Sequence, residues 1–183
     1  NAINSAEDIV KNLENGVVEE EKIDNIIEET LNNIAVDSNI ILSLLESSKN
    51  KSFIFQHTIN SLVISMVIGK AMNYSDEKLK LLGKGAFFHD IGKLNVPKHI
   101  VDKPGPLTNE EFDQMKNHTR SGLLVKLLAS KLGKHIGCTD MDVVSAMCQG
   151  HHNRHDDKGY SSEAFKAMPE SLRKHEFVEV LTI

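Results

Sequence analysis

Six side chains able to hold a metal ion stand at four separated places in the chain: His57, the pair His89-Asp90, His118, and the pair His151-His152. Imidazole nitrogen and carboxylate oxygen are the donor set of iron, manganese and zinc, and a series without thiolates argues against a structural zinc site. A carboxylate such as Asp90 has two oxygens and can bridge two ions. Paired ions ~3.5–4 Å apart clamp the attacking and leaving oxygens of an in-line displacement, which suits hydrolysis of a phosphate ester. Lys93 adds a cation three residues after Asp90. Adjacent residues on a helix point about 100° apart, so His151 and His152 are expected to serve different ions rather than share one. Each piece taken singly has an ordinary alternative: a solvated helix end, a cap, or a lysine facing a helix dipole. Only the ordered series favours a metal centre. His99, His135, His155 and His175 have no partner at ligand spacing and are read as ordinary polar side chains.

The elements that must carry these residues are helical. Ile23, Ile26, Ile27, Leu31 and Ile34 recur at steps of three and four, and Ile40, Ile41, Leu44 and Leu45 follow on a second helix. A third stripe, Ile59, Leu62, Val63, Met66 and Val67, starts just after His57. Leu79, Leu81, Leu82, Phe87 and Phe88 form a fourth, with Ser75 as its N-cap and His89-Asp90 at its end. Thr108 and Glu111 have the spacing of a capping box, and Thr139 with Asp142 repeats that signal more weakly. His118 is placed at or near the start of a helix. The segment Lys103-Pro104-Gly105-Pro106 must be a turn or loop. No stretch alternates at period two, so the fold class is all-α, with a boundary near Ser47–Ser52.

Composition agrees. With 40% hydrophobic residues among 183, the chain can bury a core and is not of the disordered class. Residues 1–52 hold 11 acidic and 4 basic residues, a net of −7, whereas residues 53–183 hold 15 and 17, a net of +2. The second part tolerates an anionic substrate but is not basic enough for DNA or RNA. Cys138 and Cys148 make no CxxC pair and no disulfide framework, which suits a reducing cytoplasm. The longest apolar run, around Leu62 to Ile68, is too short to span a bilayer, and no signal-peptide pattern opens the chain. The chain starts at Asn1 and stops at Ile183 inside an apolar run, and is read as a fragment of something longer.

Three segments, HDIGKLNVP, KPGPLTNEEFDQMKNHTRSG and HHNRHDDKGYS, resemble in order and spacing the HD-GYP domains, relatives of the HD superfamily of metal-dependent phosphohydrolases. The resemblance covers about residues 49 to 183. It implies a compact helical bundle, with residues 1–48 as an acidic helical extension that packs on it, links it or ends a sensory domain. It implies metal ligands at His57, His89, Asp90, His118, His151 and His152, with Asp90 and Lys93 catalytic. Lys93 would also contact the scissile phosphate, and Tyr160 would lie on the substrate and partner side. The cofactors implied are two divalent ions, iron or manganese first, with zinc, nickel or magnesium as alternates. The activity implied is hydrolysis of cyclic di-GMP to linear pGpG or GMP by a hydroxide bridging the two ions. GGDEF-domain proteins are the implied partners, a homodimer is a further expectation, and the setting is the bacterial cytoplasm.

The chain departs from the family pattern at several points. Asn153 follows the histidine pair where Glu is usual, Asp157 and Lys158 stand where Gly and a small residue are common, and Ser161 replaces the Pro after Tyr160. Members with three metals carry a Glu where this chain has Phe53, so two ions are expected. A further family ligand, an Asp after the apolar run ending at Ile183, falls outside the chain. Two other readings stay open: a degenerate module that binds metal or cyclic dinucleotide as a sensor or docking domain without turnover, and a hydrolase of another nucleotide.

Overall fold

A computed structural model describes residues 8–9, 12, 17, 19–36, 46, 53–120, 138–154, 156 and 159–182. All regular structure among the described residues is helical, as the periodicity predicts. The chain divides into two units, Asn1–Phe87 and Phe88–Ile183.

In the first unit, α1 (Glu20–Val36) buries Ile23, Ile26, Ile27 and Leu31 along the expected stripe and packs on α2 (Phe53–Ala71). Ile34, at the end of that stripe, is only half-buried. α2 has no charged residue before Lys70 and is apolar on more than one face. Phe55, Ile59, Leu62, Val63 and Met66 are buried, while Ile64, Ile68 and Met72 are exposed. Burying each large apolar side chain contributes roughly 1.5–3 kcal/mol, so these stripes hold the unit together. α2 stops at Asn73, whose φ of 60° is the left-handed conformation that ends helices. α3 (Asp76–Phe88) follows. Ser75 Oγ accepts from Lys78 N at 3.4 Å, and Asp76 and Glu77 occupy the first turn, so the predicted cap is in place. Lys80 and Lys84 pair with Glu28 and Asp24 of α1 at 2.6 and 2.8 Å. The helix expected over Ile40–Leu45 lies outside the described residues.

The second unit begins where α3 ends. His89 and Asp90 form a turn, followed by a 3-10 turn over Ile91–Asn95, α4 (Lys98–Val101) and the Lys103–Pro106 loop. Thr108 then starts α5 (Asn109–Lys116) with both halves of the predicted capping box, Glu111 N to Thr108 Oγ1 at 3.2 Å and Thr108 N to Glu111 Oε2 at 2.7 Å. A second 3-10 turn, Asn117–Arg120, follows directly and packs on the first. α6 (Cys138–Gly150) is the core strut. Every residue from Val143 to Gly150 is buried, and α7 (Glu163–Lys166), α8 (Glu170–Arg173) and α9 (Glu176–Leu181) pack around it. Phe165, Phe177, Val178 and Leu181 supply the apolar side chains from those short helices. The expected cap at Thr139 is corrected: Cys138 is already helical, so Thr139 lies inside α6 and not at its cap. Among the described residues, no helix is long and apolar enough to cross a membrane.

Candidate metal centre

Asp90 lies at the end of α3, where the helix gives way to the turn that carries it, and is 2% exposed. A carboxylate in that position needs compensating partners. Lys93, one 3-10 turn later, places Nζ 2.6 Å from Oδ2. His89 Nε2 lies 3.3 Å from the same oxygen. The other oxygen, Oδ1, lies 3.3 Å from His118 Nε2 and 3.5 Å from His151 Nε2, and those two nitrogens are 3.2 Å apart. His152 completes the group: one ligand-type atom each from Asp90, His118, His151 and His152 lies within 4.8 Å of the others.

Helix ends aim the rings. The last carbonyls of a helix have no intrahelical partner. His118 follows α5 and its Nδ1 donates to Met115 O at 2.6 Å, while His151 follows α6 and its Nδ1 donates to Cys148 O at 2.9 Å. Those bonds place each ring proton on Nδ1 and leave a lone pair on Nε2. Burial, against the opposing pull of Asp90, lowers the pKa of His118 to about 4 and also lowers that of His151. Burial and its two histidine neighbours bring His152 to about 3. At neutral pH the rings are therefore uncharged, and their short contacts with Asp90 are not ion pairs. Two nitrogen lone pairs and a carboxylate oxygen point at a common space.

That arrangement repels itself without a cation and fits one well. Two donor atoms each about 2.1 Å from one ion, at the tetrahedral angle, lie about 3.4 Å apart. The three edges of the triangle, 3.2, 3.3 and 3.5 Å, match that spacing. The donors are nitrogen and oxygen only. Cys148 is buried, its thiol pKa is raised by burial, and it enters the site through its backbone carbonyl.

Close backbone approach brings the segments together. A Cβ at Gly92 would lie 2.0 Å from the carbonyl oxygen of His118, and one at Gly159 would lie 2.0 Å from that of His152. Only glycine lets the two 3-10 turns, and the two strands of the loop after α6, meet at these points. The same loop is held by Tyr160 N donating to His152 O at 2.9 Å. It is fastened to α6 by Ser162 Oγ donating to Gln149 Oε1 at 2.7 Å, with Gln149 Nε2 on Ser145 Oγ at 2.9 Å.

The HD domain family matches residues 54–178, more than half of the chain. The chain belongs to the HD domain family. Among curated HD-type relatives it is similar to a cyclic di-GMP phosphodiesterase of Pseudomonas aeruginosa, 25% identical over 135 residues that cover 74% of this chain and 31% of that protein. It is 42% identical over 78 residues to a probable cyclic di-GMP phosphodiesterase of Vibrio cholerae, covering 42% of this chain and 17% of that protein. It is 29% identical over 108 residues to a 3′3′-cGAMP-specific phosphodiesterase of Vibrio cholerae, covering 59% and 23%. The chain thus spans less than a third of the length of these relatives. No solved structure matches it.

Of the site residues expected in this HD domain, the second unit brings together His89, Asp90, Lys93, His118, His151 and His152, and Tyr160 stacks on His152 with ring centroids 4.6 Å apart. His57 is half-buried on α2 of the first unit. His118 lies in the 3-10 turn Asn117–Arg120, directly after α5. His151 and His152 lie in the turn beyond α6 with ring centroids 4.2 Å apart, and each contributes a ligand-type atom to the group around Asp90. The sequence reading missed Gly92, Gly159, Gln149, Ser162 and Phe112. Only a glycine beside each ligand segment could have signalled the first two. His175, read as ordinary, caps α9 by accepting from Phe177 N at 3.2 Å, and His99 is exposed; His135 and His155 lie outside the described residues.

Proposed function

We propose that this chain is a divalent-metal-dependent phosphodiesterase that hydrolyses cyclic di-GMP to linear pGpG or GMP. The observation that carries the reading is the triangle of Asp90 Oδ1, His118 Nε2 and His151 Nε2, with edges of 3.2 to 3.5 Å. The names of the relatives supply the substrate class. The ligands would be Asp90, His118, His151 and His152, with His89 beside them. Iron or manganese suits these donors best, with zinc, nickel and magnesium as alternates. Bound ions supply Lewis acidity toward the phosphoryl oxygens and make water a nucleophile at neutral pH.

The protein's own groups have distinct tasks. The backbone carbonyls of Met115 and Cys148 fix which nitrogen of His118 and His151 faces the centre. Lys93, paired with Asp90 and 15% exposed, holds a cation at the edge of the cluster, where it offsets charge on the phosphate. In the reaction a water oxygen bonds to phosphorus and gives up a proton, the bond from phosphorus to the 3′ oxygen breaks, and that oxygen leaves as a hydroxyl by taking up a proton; the proton the water loses balances the one the leaving oxygen gains, with Lys93 placed to pass it on. Tyr160 lies on the substrate side. A cytoplasmic setting, GGDEF-domain partners and a homodimer belong to the same reading.

A second reading shares the site and changes only the bases, since one relative is named for 3′3′-cGAMP. The test is incubation of the purified chain with Mn²⁺ or Fe²⁺ and either cyclic di-GMP or 3′3′-cGAMP, with products separated by chromatography. Linear dinucleotide or mononucleotide that appears only with metal is the expected result. Tight metal binding with no product from either substrate would replace the enzyme by a sensor module.

A further inference from the structure

α5 is a polar helix with no buried residue, yet it carries Phe112 with 42% of its surface exposed. Single exposed apolar side chains are common and need no explanation. Phe112 differs because its ring is joined to the metal cluster. It meets Tyr160 edge to face, with centroids 5.6 Å apart and planes at 81°. Tyr160 in turn stacks on His152, 4.6 Å away and 26° from parallel, and also lies 6.3 Å from His118. The aromatic surface therefore runs without a break from a ligand histidine to solvent. Lys116 Nζ stands 5.1 Å from the centroid of the Phe112 ring, and Lys116 also pairs with Asp113 at 2.5 Å.

A nucleotide presents a phosphodiester and, one sugar away, a flat base. Every base has a π-face, and exposed aromatic side chains bind it by stacking, with a nearby cation adding attraction. A phosphodiester seated at the histidine cluster would leave its base within reach of a surface that starts at Tyr160 and ends at Phe112. Holding that base costs little ordering entropy, because the Phe112 ring is already braced by Tyr160 and Lys116.

We propose that Phe112, with Tyr160 behind it, is the platform on which a purine base of the substrate stacks. This rests on the nucleotide-hydrolase reading above and extends it to a residue that touches the base and not the phosphate. It predicts that Phe112 governs affinity for the nucleotide and not for inorganic phosphate, which needs only the cluster.

The probe is a cyclic dinucleotide carrying 2-aminopurine, whose fluorescence is quenched on stacking, titrated into the metal-loaded chain beside a parallel titration with inorganic phosphate. Stacking is worth about 1–3 kcal/mol per base, so Phe112→Ala should weaken binding of the probe about 5- to 150-fold and lose most of the quenching. Phosphate affinity should stay within about twofold, and Phe112→Trp should restore both binding and quenching. Phe112 is 42% exposed and lies on a helix without buried residues, so Phe112→Trp should keep the parental melting temperature and Phe112→Ala should fall only slightly below it. Probe binding unchanged in Phe112→Ala overturns the platform. So does an equal loss of phosphate affinity, which would mark a structural role. A parent chain that binds and quenches the probe but hydrolyses neither cyclic dinucleotide removes the enzyme reading and leaves the platform standing. A parent that binds no probe removes both.

Discussion

Substituting Gly92 by alanine tests how the centre is assembled without touching any ligand. The backbone of Gly92 is not in the left-handed region, since Gly105 is the described glycine with positive φ. Alanine is therefore acceptable there on conformational grounds, and the cost comes from space alone. Its Cβ would fall 2.0 Å from the carbonyl oxygen of His118, 2.7 Å from the carbonyl carbon and 2.8 Å from Cα. All three are backbone atoms that cannot rotate away. Non-bonded heavy atoms come to rest near 3.5 Å, so the Asn117–Arg120 turn must recede by more than about 1 Å. Metal sites tolerate shifts of about 0.2 Å in ligand distance. His118 would leave the triangle in which its Nε2 lies 3.2 and 3.3 Å from its neighbours. Metal affinity should fall by about 10- to 100-fold or more, the scale seen when the groups orienting a ligand are lost. Stability should fall by about 1–3 kcal/mol from overpacking. Calorimetric titration with Mn²⁺ gives the first quantity, and chemical denaturation in the presence of a chelator gives the second. Parental Mn²⁺ affinity in Gly92→Ala would refute the claim that this close approach sets His118.

Asp90→Ala should abolish both metal content, read by elemental analysis, and turnover of cyclic di-GMP; hydrolysis at the parental rate would remove Asp90 from the mechanism. Lys93→Met should keep its metal while kcat falls by about 10²–10³-fold, the usual loss when one group facing developing charge is removed, and a parental kcat would return Lys93 to a purely structural partner of Asp90. Thr108→Ala removes the acceptor for Glu111 N and should cost about 1 kcal/mol in denaturation free energy. Gln149→Leu leaves the buried Ser162 and Ser145 hydroxyls without their shared partner and should cost about 1–3 kcal/mol in the same measurement, with faster proteolysis of the loop after α6 as a second readout.

Several helices were legible from local signals. The stripe Ile23, Ile26, Ile27 and Leu31, the Ser75 cap and the Thr108–Glu111 box depend on residues three or four apart, and each stands where the pattern puts it. The ligand types were legible as an ordered series, and the resemblance carried their roles. Their convergence was not legible, because it depends on contacts between residues far apart in the chain. Gly92 against His118 and Gly159 against His152 are distances between backbones, and no periodicity encodes them.

The helix ends themselves hold a signal that periodicity overlooks. His118 and His151 each follow a helix and each donate Nδ1–H to the carbonyl three residues back, Met115 O and Cys148 O. Those carbonyls belong to last turns, where few amides remain for them, so a histidine placed there supplies a donor and has its tautomer decided in the same step. The consequence is directional. With Nδ1 committed to the helix, Nε2 must face outward from the helix end, and two such ends that meet across Asp90 turn two lone pairs on one point. A histidine just past a helix terminus is thus prepared as a metal ligand by local backbone chemistry alone, and the long-range fold has only to bring two of them to the same carboxylate.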